Sequence, residues 1–373
     1  MFSGPPGDGV GTPARISPEP DRLLIIAAAE YRRVAYAELR AELSGNPSPR
    51  VVAFPDGSVD TFSRIRSPAG RLDSVTAFSD ELADGKRSFH LEPETREAGG
   101  QAVNMAKQVH ALGGDPELYG HLDDPLLADL PFPCVSMGEP AAVSVLELGD
   151  DGVLFAAESD AIQDWTAADV RTAMGGDFAP IRDADAACCG NIASFPALLD
   201  VFRSLAPTNG DGDGDGGALV LDPGDLTDVA AETIADYFSV LSDLDDRFEV
   251  VLSVNDLEAD RLAEVIGGRS KSKSDSVERI RDEAAVSAVV YHGKERAVSA
   301  TRDGTLTVPN CTVSTVERTT GAGDRFSGGL TFGRASGWDW GPTLALANVC
   351  TSRYVETATT VDAEAVLSEA WTK

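Results

Sequence analysis

Thr320-Gly321-Ala322-Gly323-Asp324 holds the densest chemistry in the sequence. Two glycines and an alanine leave the backbone bare, so an anion can approach the peptide N–H groups. The residues that follow, Arg325 to Gly333, read as a helix. Its N-terminus adds the positive end of a dipole at the same point. Asp324 falls in the first turn and sets a carboxylate beside this anion cradle. Donors for a transferring phosphoryl group, next to a base for an attacking oxygen, are what phosphoryl transfer to a hydroxyl requires. Taken alone, the loop has a plainer reading: a strand-to-helix turn, from the β-branched run Thr312–Thr320 as strand into a helix, needing small residues.

Three further segments lie upstream. Gly99-Gly100-Gln101-Ala102-Val103-Asn104 opens a run in which Ala102, Val103, Ala106, Val109 and Leu112 recur at helical spacing, so a Gly-Gly turn feeds an amphipathic helix. Asn255-Asp256-Leu257-Glu258 follows the strand-like Phe248–Val254. Asn and Glu three apart share one face of a first helical turn, a spacing that also fits an N-cap with its capping box. Asp56-Gly57-Ser58-Val59-Asp60 follows the strand Val51–Phe54.

The segment Thr319–Gly329 resembles the C-terminal signature of the ribokinase-like (PfkB) carbohydrate kinases, and the other three segments match motifs of that family in family order. The resemblance implies an α/β fold, a three-layer αβα sandwich with a central mostly parallel sheet and a small β-sheet lid. It implies a kinase that uses ATP and Mg²⁺ to phosphorylate a hydroxyl of a sugar or sugar derivative. Asp324 would be the base, and the N–H groups of Gly321, Ala322 and Gly323 the anion hole. Asp60, Gly99, Gly100 and Asn104 would hold the acceptor. Asn255, Glu258 and Thr320 would lie on the nucleotide side, with Glu258 reaching the metal through water. Gly293, in Tyr291-His292-Gly293-Lys294, would sit near the nucleotide phosphates, and Asn348 on the helix walling the adenine pocket. A nucleoside kinase of the same family, and a catalytically silent sugar- or nucleotide-binding protein, are the alternatives; the intact Asp324 and its loop argue against the silent one. A dinucleotide-binding oxidoreductase would need G-x-G-x-x-G after the first strand, and Phe-Pro-Asp-Gly-Ser-Val-Asp at 54–60 does not supply it.

The chain departs from the family pattern in three places. Arg318 stands where relatives carry an Asp that helps hold a monovalent cation, so its guanidinium is expected to substitute for that ion. Arg325 follows Asp324 where a small residue is usual. The connection from Tyr119–Asp124 to the segment beginning at Cys134 is short, which leaves the acceptor side of the pocket, and the identity of the sugar, open.

The elements that must position these residues are legible in outline. Strands at Ala218–Leu221, Val250–Val254 and Ala288–Tyr291 alternate with helical stretches, the pattern of a mostly parallel sheet covered by helices. The kinase domain is placed at 50–373, with a lid from about 59–98 and 134–160 and a hairpin turn at Gly149-Asp150-Asp151-Gly152. Residues 1–49 form an N-terminal extension, a Gly/Pro-rich start expected to be disordered and then a helix over Asp21–Leu43. Asn209–Gly217 and Arg269–Ser276 read as solvated loops, the first rather than a calcium site, its twelfth position being Asp222.

Formal net charge is −30, from 61 acidic and 31 basic residues. Such a chain lacks the basic footprint that nucleic acid requires. Lysine is confined to Lys86, Lys107, Lys271, Lys273, Lys294 and Lys373, and an acidic, lysine-poor composition points to the very high salt of a halophile's cytoplasm. There, charge repulsion is screened within about 3 Å at 1 M salt. The five cysteines fit neither a zinc site nor a disulfide framework and read as buried thiols in a reducing cytoplasm. None of the four histidines has a metal-ligand neighbour at useful spacing, and no apolar run is long enough to span a membrane. A homodimer through the lid strands is expected by resemblance only.

Overall fold

The computed structural model describes residues 20–67, 70–149, 151–207, 216–268 and 271–368. The Gly/Pro-rich start, nearly all of the Asp-Gly loop and Asp150 of the expected hairpin turn lie outside the described residues.

Fourteen strands are found among them: β1 Arg50–Phe54, β2 Ser58–Ser67, β3 Gly70–Arg71, β4 His90–Gly99, β5 Asp115–Gly120, β6 Cys134–Ser136, β7 Ala141–Leu148, β8 Asp151–Ala157, β9 Ala186–Gly190, β10 Ala218–Asp222, β11 Glu249–Val254, β12 Ala288–His292, β13 Arg296–Thr301 and β14 Gly304–Pro309. The larger sheet runs β14-β13-β12-β11-β10-β9-β1-β5-β6. Its strands are parallel from β12 to β6, and β13 and β14 are antiparallel. Successive residues of its parallel strands enter opposite cores, because side chains alternate across a sheet. Val52, Phe54, Leu219, Leu221, Val250 and Leu252 pack on one face with the helices Leu198–Leu205, Ala231–Leu244, Asp256–Val265 and Lys273–Ala284. Val51, Ala53, Val220 and Val251 pack on the other with Gln101–Ala111, Ala322–Ala335 and Trp340–Thr357. Burial on both faces explains why these strands read as unbroken apolar runs.

Chain order reverses at β1, which lies between β9 and β5. At such a switch point the loops leave the strand ends in opposite directions and open a crevice beyond the carboxyl ends. The second sheet, β3-β2-β7-β8 with β4 also on β2, lies over that crevice. It takes its strands from 58–99 and 141–157. The expected lid boundary is corrected at Cys134, because β6 pairs in parallel with β5 and extends the larger sheet instead.

Other readings are also corrected. Thr312–Thr320 forms no strand; the N–H groups of Glu317 and Arg318 both donate to Val355 O, which pins the run as a loop. Lys273–Ser276, expected in a loop, begins a helix, because the Ser272 side chain accepts from Asp275 N and caps it. In the extension, the helix Pro20–Leu43 buries Ala35, Tyr36, Leu39 and Leu43 against the core, where the Tyr36 hydroxyl meets Pro309 O.

Candidate active site

A cavity of about 660 Å³ occupies the crevice. It is reached by Asp56 after β1, Asn191 after β9, Asp222 at the end of β10, Asn255 after β11 and His292 at the end of β12. The lid contributes Asp60, Phe62, Val143 and Leu154 from above. Of the sequence-derived site residues, Asp60, Gly100, Asn104, Asn255, Glu258, Thr320, Gly321, Gly323 and Asp324 line this one space.

Gly321 is the N-cap of the helix Ala322–Ala335 and adopts φ 84°, a left-handed conformation that glycine takes without strain. Behind it the Ala322 N–H donates to Thr319 O at 3.0 Å, while the next first-turn N–H groups have no intrahelical acceptor. Tyr354 anchors the loop, its hydroxyl donating to Thr320 O at 3.1 Å, and Thr351 donates to Ala322 O at 2.9 Å. Asp324 is half-buried, and Asn104 Nδ2 donates to its Oδ2 at 2.8 Å. Burial raises the Asp324 pKa above the usual carboxylate value, while the Asn104 hydrogen bond and the Arg325 charge pull it back.

On the acceptor side, Ser58 Oγ donates to Asp60 Oδ1 at 2.5 Å. Gly100, at φ 101°, starts the helix Gln101–Ala111, whose first N–H groups donate to Asp56: Gln101 N to Oδ2 at 2.8 Å and Ala102 N to Oδ1 at 2.6 Å. Asp56 is fully enclosed, and burial lifts its pKa to about 7. Sequence reasoning quoted Asp56 without giving it this capping role; a cap supplied from a different strand leaves no local spacing to read.

Asp222 was missed as a site residue. It accepts from Gln101 Nε2 at 2.9 Å and from Ser327 Oγ at 3.0 Å, so it joins the Gly-Gly helix to the helix of the cradle. Burial, then the charge of Asp324, raises its pKa to about 7. Its signal was available: an Asp closing an apolar strand before Pro223-Gly224.

Asn255 and Glu258 form a reciprocal capping box, Asn255 N donating to Glu258 Oε2 at 2.8 Å and Asn255 Oδ1 accepting from Glu258 N at 3.1 Å. The capping reading therefore holds, and the pair faces the cavity as well. Glu258 is buried; desolvation first, then the charge of Asp222, pushes its pKa well up. Among the described residues no group of three or more His, Cys, Asp or Glu is placed to hold a metal ion by itself. Mg²⁺ does not require one: it keeps several waters and binds through one or two carboxylates and the substrate phosphates. Buried carboxylates that raise one another's pKa form a donor set suited to such an ion.

Five expectations fall differently. Ala322 and Gly99 back the cavity wall rather than line it. Gly293 lies in the β12–β13 turn, donating to Arg296 O and accepting from Asn310 Nδ2, off the cavity wall. Asn348 is fully buried, its Nδ2 donating to Val308 O at 3.1 Å, so it braces β14 and does not face the cavity. Arg318 does not stand behind the cradle in place of an ion. It reaches the lid, stacking on Phe62 with 3.7 Å to the ring centroid and donating to Glu97 at 3.1 Å and Glu147 at 3.4 Å. Arg325 is buried over Tyr354, its Nε donating to Thr360 Oγ1 at 2.9 Å.

A three-layer α/β sandwich, a β lid and a glycine cradle with an adjacent aspartate together define a ribokinase-like carbohydrate kinase. Solved structures share the fold. A ribokinase from Cryptococcus neoformans in complex with ADP superposes with a TM-score of 0.63 at 16% identity, over 86% of this chain and 99% of that one. A Burkholderia thailandensis nucleoside kinase in complex with inosine gives 0.61 at 19% identity, over 85% and 95%. The prokaryotic ketohexokinase family profile matches residues 48–370, and the chain belongs to that family. A curated ketohexokinase from Haloferax volcanii is 27% identical over 315 residues, 80% of this chain and 81% of the relative. The chain is thus an ATP-dependent sugar kinase, a phosphotransferase with an alcohol group as acceptor. The match begins two residues before β1, so the N-terminal helix lies outside it.

Proposed function

We propose that this kinase phosphorylates a hydroxyl of a neutral ketohexose in the cavity between cradle and lid. The observation that carries the placement is the hydrogen bond from Asn104 to Asp324: it joins the acceptor-side turn to the anion cradle across 220 residues of sequence. The neutral acceptor follows from charge. Asp56, Asp60, Glu97, Asp222, Glu258 and Asp324 line the cavity, against Arg325 as the one lysine or arginine on its wall among the described residues. An acidic sugar or a sugar phosphate would meet net repulsion there, and the names of the family and of the Haloferax relative support a ketohexose.

In this reading Asp60 and Asn104 hold acceptor hydroxyls. Asp324 takes the proton of the attacking hydroxyl as its oxygen bonds to the γ-phosphorus and ADP leaves. The N–H groups of Gly321 and Gly323 hold the charge on the transferring oxygens; that of Ala322 is engaged by Thr319 O at 3.0 Å. Mg²⁺, when bound, neutralises phosphate charge; Glu258, with Asp222, would hold it through water. Lid residues such as Leu154, about half exposed at 54%, would cover the substrate and exclude water. The nucleoside-kinase alternative has support only from shared fold at low identity.

The setting is a high-salt cytoplasm, supported by the acidic composition and five free cysteines. No described helix is long and apolar enough to cross a membrane. Homodimerisation belongs to this reading too: edge strand β8 leaves Phe155 exposed, a face that a second lid would cover.

The test is ADP release from ATP and Mg²⁺ in molar KCl across ketohexoses, aldohexoses, sugar acids, sugar phosphates and nucleosides. Ketohexose turnover that falls about 10²–10⁴-fold in Asp324→Asn supports the proposal. A preference for an anionic acceptor or a nucleoside, or near-normal turnover by the variant, refutes it.

A further inference from the structure

Arg318 precedes Gly321, the N-cap of the cradle helix, by three residues. Its N–H donates to Val355 O at 3.2 Å, so its backbone belongs to the body of the enzyme. Its side chain belongs to the lid. The guanidinium lies over the Phe62 ring, with 3.7 Å to the centroid. Nη1 donates to both oxygens of Glu97, at 3.1 and 3.2 Å, and Nε donates to Glu147 Oε1 at 3.4 Å. Phe62 is in β2, Glu97 in β4 and Glu147 in β7, and β4 and β7 flank β2 on either side. One side chain therefore spans three neighbouring strands of the lid. The lid also comes close at a second point: a Cβ built on Gly152, in β8, would stand 3.3 Å from Thr320 Oγ1. The Arg318 side chain is 10% exposed and that of Glu147 15%. Exposed ion pairs contribute little and are screened by salt. A pair shielded from water is screened much less, and removing one partner leaves the other charge uncompensated.

We propose that Arg318 is a positioning residue that ties the lid to the cradle loop, so that seating a nucleotide phosphate on the cradle and closing the lid on the sugar are one event. This rests on the reading that the sugar lies between cradle and lid. Thr319 and Thr320 connect Arg318 to Gly321 and line the cavity, and Tyr354 holds Thr320 O. At the other end, Phe62 and Glu97 are themselves cavity wall. A phosphate that orders the loop sets the guanidinium, and the guanidinium sets the wall that faces the sugar. The coupling is reciprocal: a sugar that holds the lid down tightens nucleotide binding by the same factor. Arginine suits this task where lysine would not, because its planar fork serves two carboxylates while its face stacks on a ring.

The experiment measures the Kd of ketohexose by titration calorimetry, on the full chain in molar KCl, with and without a non-hydrolysable ATP analogue and Mg²⁺. The wild type should bind the sugar about fivefold or more tightly when the analogue is present, within the range of about 5- to 150-fold common for coupled sites. Arg318→Met should bring that factor close to one, while the Kd of the analogue without sugar stays within about twofold of wild type. Glu147→Gln, changed on the lid side and off the cavity wall, should lower the factor too. The double variant should lose no more than Arg318→Met alone, because both act through one contact. A merely structural Arg318 would lower the thermal midpoint and leave the factor as it is. An unchanged factor in a folded Arg318→Met enzyme would overturn the proposal, as would additive losses in the double variant. If Arg318→Met does not fold, Glu147→Gln decides. A wild type that binds no ketohexose, or an Asp324→Asn enzyme of normal activity, removes the reading of the cavity and this inference with it. Ketohexose binding that nucleotide does not tighten removes this inference alone.

Discussion

Gly99→Ala is a single methyl group aimed at one side chain. Gly99 ends β4 opposite Ser58, two residues from Asp60 in β2. A Cβ there would overlap Cγ and both carboxylate oxygens of Asp60, deeper than any real contact allows. The backbone has little room to yield, because β2 and β4 are paired from Ser58–Gly99 to Arg66–His90 and Gly100 is committed to φ 101° at the next residue. Asp60 must therefore swing out, losing its 2.5 Å hydrogen bond from Ser58 and its place in the cavity. A hydrogen bond to a charged group contributes about 1.5–3 kcal/mol. At about 1.4 kcal/mol per factor of ten, kcat/KM for the sugar should fall roughly 10- to 150-fold. The cradle is untouched, so the ATP KM should hold. Initial rates of ADP release, with each substrate varied in turn in molar KCl, measure both constants, and a thermal midpoint confirms folding. A folded Gly99→Ala enzyme with wild-type sugar kinetics would refute the assignment of Asp60 to the acceptor.

Arg325→Met should move the acidic limb of the kcat/KM–pH profile to higher pH, because the Arg325 charge lowers the pKa of Asp324, which acts as a base only when ionised; an unmoved limb would show that Arg325 does not tune the base. Asp222 titrates at about 7 in the fold against 3.8 as the reference value. Between those values the native state holds a proton that the unfolded chain has released, so this group makes stability fall as pH rises through the window. Asp222→Asn should flatten that fall in urea titrations at pH 4.5 to 7 (roughly the span between the two pKa values), and an unchanged slope would contradict the assignment. At a net charge of −30 the thermal midpoint should climb between dilute buffer and molar KCl as the Debye length shortens to about 3 Å; a flat dependence would remove the high-salt argument.

Strands were legible where they are buried on both faces. Val51–Phe54, Val250–Val254 and Ala288–Tyr291 were read within a residue of their ends, because strands covered by helices must be apolar throughout. Thr312–Thr320 misled for the complementary reason. Its β-branched residues suit a strand, but its N–H groups found Val355 O and no neighbouring strand. Ser272 and Asp275 carried a readable N-cap that the basic, polar look of the segment hid. Cys134–Ser136 was assigned to the lid because sequence order does not say which sheet a short strand joins.

The site divides the same way. Sequence alone determined what depends on local spacing: the bare Gly321–Gly323 backbone ahead of a helix, Asp324 in its first turn, the Asn255–Glu258 box and the Gly-Gly turn before Asn104. These are short-range geometries, set by backbone conformation within a few residues. Tertiary structure decided what depends on contacts across the chain. It brought Asn104 to Asp324, set Asp56 as a cap on the Gly-Gly helix and Asp222 as a brace between two helices, turned Arg318 to the lid, and withdrew Asn348 to β14. Each of those outcomes rests on which strand lies beside which and on which groups lose water together, and no spacing along one chain encodes either.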